Sequence, residues 1–582
     1  DLDVRRGLAE HGAAVAVAGI GATLRVVGCT FRDSAATCSV EGRTVANSTS
    51  VAPPPFRGAD PRRPPTGRRP ASVHGGQSGK GTSSGSGLGY PWFGPTGSLR
   101  NGYQAEHRTS GCSAASDARG WVAQLLDAPA MPVVGGGGAL SISGAFATVV
   151  VLHSNFSNVS SAGYGGAILA TDVATIDVTG CSFTHASAPF LGGGVAVLAS
   201  GNGSSEVHIA ASRFVDVDGG GGGGGGVGGL YQGAQIQGIR WSISGSTFVR
   251  CTGGAGNAIV GGGGGVGLAA TATGDLSHIS VEVRDSTFEY CVGGNSNIVA
   301  GGAGGVGIAV LSTNGTIANV SVAVHGRSRV AECSGGALNL VAGGAGGIGV
   351  AAVSGGIIDG AVVQTNVSNV GATVTDTEIY GCVGGRASLY SGGAGGIGVA
   401  IMSTGPMFGT FIDIANVDVS DCVGGELSYA GGAGGVGAAL VSPYAGAYGT
   451  RIRAAESNVS RCEGGRNNHG DHFGYVQWNP QTGGAGGIGL AVNTFWSVND
   501  ASFIVSSSRV VNCSGGTNNT EGGAGGIGVV LRVSGGNIIG FVADVATSLV
   551  ENCHGGSRND KGGGAGGVGF TIVTYGAFDD PN

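Results

Sequence analysis

Gly301-Gly302-Ala303-Gly304-Gly305-Val306-Gly307 is the stretch whose reading decides the fold. The same pattern, with Ile or Val in the sixth place, stands at 343–349, 392–398, 431–437, 483–489, 522–528 and 563–569. A relaxed copy, all glycine before Val266, stands at 261–267. Copies begin 39 to 52 residues apart. A cysteine precedes each copy: Cys251, Cys291, Cys333, Cys382, Cys422, Cys462, Cys513 and Cys553. The two series lengthen and shorten together, so one unit repeats and its extra residues are loop insertions. A repeat of this period is the mark of a stacked architecture.

Each unit reads as three strands. Val306 to Val310 alternates large and small residues. Thr316 to Val324 alternates again after a Thr313-Asn314-Gly315 turn signal. Arg329 to Cys333 is a third short strand, closed by Ser334-Gly335-Gly336. Period-two alternation, β-branched residues and Gly/Asn punctuation are strand signals. Three such strands cannot bury their own apolar face, but stacked units share one continuous core. The expected fold is all-β: a parallel β-helix with coils about 4.8 Å apart. The crossover rule makes it right-handed.

Further residues carry a family resemblance. Gly165-Gly166-Ala167-Ile168 is followed by Cys181-Ser182-Phe183, and Ser-x-Phe recurs at Ser212-Arg213-Phe214, Ser246-Thr247-Phe248 and Ser286-Thr287-Phe288. These resemble the GGA(I/L/V) and FxxN repeats of chlamydial polymorphic outer-membrane proteins, and more broadly pectin-lyase-like right-handed β-helices. The resemblance covers roughly 135–582 and implies the fold. It departs where cysteine replaces the Asn of FxxN, as in Phe248-Val249-Arg250-Cys251. No autotransporter barrel follows the repeats, so the resemblance gives no membrane anchor. Fold by itself assigns no activity.

Three regions follow from the pattern. Residues 1–33 read as β-helix coil, since Leu24 to Phe31 matches Thr179 to Phe183. A rival reading makes Ala13–Ala22 the apolar core of a signal segment behind Arg5-Arg6. Residues 34–134 hold nine of the 16 prolines between Pro53 and Pro95 alone, and carry ten Lys/Arg against five acids. Pro, Gly, Ser and Arg without periodicity read as a poorly ordered linker or insertion. The alternatives are a basic tether for an acidic polysaccharide or membrane surface, and sequence that is not genuinely coding. Residues 135–582 read as the main β-helix, stopping within a coil, as in an excerpt of a longer protein.

Composition narrows function. Glycine is 124 of 582 residues, yet it sits mainly at fixed repeat positions and shows no collagen period. Charged residues are 11% and net charge is −7, which argues against a nucleic-acid surface. Ten Asn-x-Ser/Thr sequons, at Asn47, Asn155, Asn158, Asn202, Asn314, Asn319, Asn366, Asn458, Asn512 and Asn518, are glycan acceptors if the chain enters a eukaryotic secretory route. Fold and sequons together predict a secreted or surface-exposed protein.

Candidate sites are few. The eight repeat cysteines form an expected structural ladder, as buried free thiols or as inter-coil disulfides. They lack the CxxC spacing and regular histidines of a zinc site, so no metal or cofactor is expected. The loop 466–482 is the longest between coils. In it His469, Asp471 and His472 have metal-ligand chemistry, and Tyr475 and Trp478 could stack on a sugar; the bland reading is a packed surface loop. Strand alternation turns Gly349, Gly398, Gly437, Gly489, Gly528 and Gly569 outward, with Ala351, Ala400, Ala439 and Ala491. That predicts a flat Gly/Ala strip. It either receives a second copy, a filament neighbour or a glycan, or simply meets the needs of tight stacking. Asp413 with Asp418, and Asp216 with Asp218, are local acid pairs that do not repeat on neighbouring coils. No catalytic residue is assigned. The expected function is an extracellular structural or adhesive module binding glycan or protein partners. A carbohydrate-active lyase or hydrolase and a filament subunit are the alternatives.

Overall fold

The computed structural model describes residues 2–5, 8–10, 15–19, 21–33, 35–36 and 138–574, apart from the connections 162–163, 190, 202–203, 221–223, 255–261, 296–301, 338–343, 359–360, 387–392, 427–431, 467–483, 520–522 and 559–563. Every regular element among these residues is a β-strand. One coil runs through a first strand Val306–Ser312, a second strand Ile317–His325 and a third strand Ser328–Ala331. These are the three strands read from the sequence.

Coils stack by parallel pairing with equivalent residues in register. Val306 pairs with Ile348, Ile348 with Ile397, Ile397 with Val436, Val436 with Ile488, Ile488 with Ile527 and Ile527 with Val568. First and second strands join one 28-stranded sheet, and third strands form a separate 13-stranded sheet. The protein is a parallel β-helix. Register survives the insertions, because a one-residue slip would turn each apolar set to solvent. The extra residues at 467–483 leave Val436 paired with Ile488. Those after Ser354 form a small antiparallel hairpin, Gly356–Ile358 with Ala361–Val363.

The amino-terminal strands belong to the same stack. Val15–Ala18 and Thr23–Val27 both pair with the long strand Leu140–Leu152, and Thr30–Arg32 pairs with Asn155–Ser157. Residues 37–137 therefore connect two adjacent coils of one solenoid.

Three internal rows hold the spine together. Phe31, Phe156, Phe183, Phe214, Phe248 and Phe288 stack with centroids 4.5–5.0 Å apart and rings within 4° of parallel. Beyond Phe288 the same row continues as Val330, Ile379, Val419 and Val459. A motif glycine faces this row. A Cβ on Gly265 would lie 2.5 Å from Phe288, and one on Gly396 would lie 2.9 Å from Val419.

The second row caps a turn. Ser212, Ser246, Ser286 and Ser328 are buried, and each of Ser212, Ser246 and Ser286 donates its backbone N–H to the serine hydroxyl of the next coil at 3.1–3.2 Å. Buried amides need such partners. Cys181 takes the same place in its own coil, and its N–H donates to the Ser212 hydroxyl. The third row is the cysteine ladder.

Candidate functional site

The repeat cysteines lie one coil apart along the core. Each cysteine carbonyl accepts the N–H of the residue just after the next cysteine: Val292 to Cys251, Ser334 to Cys291, Val383 to Cys333 and Val423 to Cys382, all at 2.9 Å. From Cys251 to Cys513 these thiols are buried to within 1% of full burial, and Cys553 is partly exposed. All ten described cysteines are free thiols. Their sulfurs reach carbonyl oxygens: Cys291 Sγ lies 3.5 Å from Glu289 O and 3.7 Å from Phe248 O. Burial pushes the Cys251 and Cys333 thiols well above their ordinary pKa, and Cys181 up to about 11. A protonated, enclosed thiol behaves as a small apolar group with a weak donor.

A left-handed residue precedes each cysteine and turns the corner. Arg250, Tyr290, Glu332, Asp421, Arg461 and Asn512 have φ between 50° and 55°. Their side chains stand in an exposed column and pair along the axis. Arg250 makes a two-point ion pair with Asp216 at 2.5 and 2.8 Å, and Arg461 another with Asp421 at 2.7 Å. A second column joins His278, Asn319 and Asn369 at 3.4 and 3.2 Å. These columns were not read from the sequence. A polar residue immediately before each apolar-turn Cys was their signal.

The outward glycines and alanines do line one continuous feature, but it is not flat. Gly349, Gly398, Gly437, Gly489, Gly528 and Gly569 are roofed by the alanine of their own motif. A Cβ on Gly349 would lie 2.9 Å from the Ala345 Cβ and 3.4 Å from the Ala303 Cβ. The Gly-Ala step before each strand folds back over it, so these glycines are buried, apart from the half-buried Gly569 of the last coil. That packing explains why a small residue suits the strand position. What remains open is a narrow groove of about 190 Å³ running from Ala303 to Thr571, with Ala351, Ala400, Ala439 and Ala491 in its lining. No charged residue lines it among the described residues.

The acids of these pairs are all engaged, Asp216, Asp413 and Asp418 between coils and Asp218 within its own turn. Asp413 pairs with Arg451, Asp418 accepts from Asn458, and Asp218 accepts from the Gly220 N–H. Other acids do gather across neighbouring coils. Asp285, Asp376, Glu378, Asp418 and Glu456 all line one open depression of about 840 Å³, with Arg327 and Arg329. They hold two equivalent positions of the repeat: Asp285, Asp376 and Glu456 stand at the left-handed corner before the third strand, and Glu378 and Asp418 pair with each other on it. Arg329 lies 3.1 Å from Glu289 and 3.6 Å from Glu378, with its guanidinium over the Tyr380 ring.

His469, Asp471, His472, Tyr475 and Trp478 lie outside the described residues, as do Asn47 and Asn202. Asn155, Asn158, Asn314, Asn319, Asn366, Asn512 and Asn518 are exposed, and Asn458 is half-buried. Among the described residues no group of three or more His, Cys, Asp or Glu side chains is placed to hold a metal, and no helix is long and apolar enough to cross a membrane. Compared with protein-family models, curated proteins and solved structures, the chain matches none.

Proposed function

We propose that this β-helix is an extracellular or cell-surface structural and adhesive module that binds a glycan or a surface protein along its side. The observation that carries the reading is the uninterrupted in-register stacking of coils. It gives a stiff rod whose outer faces repeat at the coil spacing of about 4.8 Å, a geometry suited to an extended partner. The Gly/Ala groove, which follows the rod across successive coils, supplies the contact face. The likeness to outer-membrane repeat proteins and the abundance of sequons support a surface location.

The test is binding of the purified chain to an array of linear polysaccharides and surface proteins, with assay for unsaturated or reducing-end products. Retention without product formation supports the module. No retention on any partner overturns it.

A second reading, a carbohydrate-active enzyme, is favoured by one observation, the acid and arginine depression around Arg329. Paired carboxylates are the usual equipment of glycoside hydrolysis. Product release from a pectin or alginate panel, lost on Glu378→Gln, would establish this reading instead.

A further inference from the structure

The sequons separate into two physical classes once the coils are stacked. In the first class the side-chain amide points along the axis into the neighbouring coil. Asn158 Nδ2 donates to Asp33 Oδ1 at 3.0 Å, and Asn458 Nδ2 donates to Asp418 Oδ1 at 3.0 Å. Asn319 Nδ2 meets His278 Nε2 at 3.4 Å, while its Oδ1 accepts from Asn369 at 3.2 Å. A sugar on any of these nitrogens would occupy the place of the adjacent rung. Asn155 and Asn512 are exposed, but both belong to the third-strand stack. Asn155 has Thr30 and Ser182 directly above and below it, and Asn512 donates its N–H to Glu551 O.

Asn314 and Asn366 form the second class. Both stand in the connection between a first strand and a second strand, after Ser312 and before Val367 respectively. Both are exposed, and neither side chain donates to a neighbouring coil. They share one edge of adjacent coils, since Ile317 N donates to Asn366 O at 2.9 Å. Their sequons are Asn314-Gly315-Thr316 and Asn366-Val367-Ser368.

We propose that Asn314 and Asn366 are N-glycan attachment sites that set a pair of sugar chains on this edge, and that Asn158, Asn319 and Asn458 stay bare in the folded protein. The inference rests on the reading that the chain is extracellular. The donor is an oligosaccharide linked through pyrophosphate to a polyprenyl lipid, used by a membrane oligosaccharyltransferase. The side-chain amide nitrogen attacks the anomeric carbon. The N–C bond forms, the sugar C–O bond to pyrophosphate breaks, and the amide proton leaves to a base as the lipid pyrophosphate departs. Transfer precedes folding, so chains modified at Asn319 or Asn458 cannot complete the axial columns and drop out of the folded pool.

The test uses the full chain behind a eukaryotic secretion leader, so that transport does not depend on the native location. Glycopeptide mass spectrometry is run on folded secreted material before and after amidase treatment. Most molecules should carry sugar at Asn314 and at Asn366. Thr316→Ala should remove it from Asn314 alone, and Ser368→Ala from Asn366 alone. Bare Asn314 or Asn366 in folded secreted protein overturns the assignment, as does a glycan on Asn319 or Asn458. The extracellular reading is tested separately, by locating the untagged chain in its own cells, so the two can fail independently.

Discussion

Two glycines of one motif, Gly395 and Gly398, should respond very differently to alanine. A Cβ on Gly395 would lie 2.3 Å from Gly434 O and 2.7 Å from both Val423 N and Val423 O. All three atoms are backbone of the next coil and cannot swing aside. Gly434 O accepts from Gly396 N at 3.2 Å, and Val423 N donates to Cys382 O at 2.9 Å. Relief of the overlap by roughly an ångström loosens both bonds in a buried setting. Each buried group left unsatisfied costs about 1–3 kcal/mol. The loss of backbone freedom in the unfolded chain returns about 0.4–1 kcal/mol. Gly395→Ala should therefore destabilise its coil by about 2–3 kcal/mol. A Cβ on Gly398 would meet the Cβ atoms of Ala394 and Ala345 at 3.1 and 3.2 Å and the Ala394 N at 3.3 Å, none closer than 3.0 Å. Those can give by a few tenths of an ångström without breaking a hydrogen bond, so Gly398→Ala should cost about 0–1 kcal/mol. A solenoid need not unfold as one unit. The assay is therefore hydrogen exchange on peptides covering 393–399 and 419–436, which reads the local opening free energy. Equal protection in the two variants, or greater loss in Gly398→Ala, would refute the stacking argument.

Ser286→Ala should lower thermal stability, because it strips the hydroxyl that accepts the Ser246 N–H, an effect of about 1–3 kcal/mol. Ser286→Cys should be milder, since Cys181 already serves in that row and its sulfur accepts the Ser154 N–H at 3.4 Å; a thermal melt of both variants gives the ranking. Peptide-resolved alkylation of the native protein should label Cys553 and spare Cys291, Cys333, Cys382 and Cys422, with all five labelled in denaturant; rapid native labelling of the inner four would contradict their burial. The hydrogen bond from Arg250 holds the Asp216 carboxyl below the usual carboxylate range, and Arg461 does the same for Asp421. A depressed folded pKa contributes stability above the unfolded value of about 3.9, and that contribution is lost as pH falls through the folded value. Asp216→Asn with Asp421→Asn should thus lower Tm at pH 7, and the difference should close as pH falls through the depressed folded value. The pairs are exposed, so the difference should shrink in high salt.

Much of this architecture is legible along the chain. The recurrence of the glycine motif and of the cysteines fixed the number and order of units. Alternation in Val306 to Val310 and Thr316 to Val324 fixed which residues face the core, because a strand's side chains have period two and one face must be buried. The same logic places Cys251 to Cys553 in one column.

Other features depend on neighbours supplied by a different coil, and no interval within a unit encodes those. The outward glycines looked like an open strip because alternation reports direction, not cover. Only the fold shows Ala345 lying over Gly349 and leaving a groove beside it. The acidic depression joins Asp285, Asp376 and Glu456 from one corner position with Glu378 and Asp418 from one third-strand position, and they meet only because the units are stacked. The sequon pattern marks Asn319 and Asn314 alike, yet one amide is held between rungs and the other stands on an open edge. A local pattern fixes how a residue points within its own strand. What lies about 4.8 Å above it is set by residues some forty positions away, and only packing brings them there.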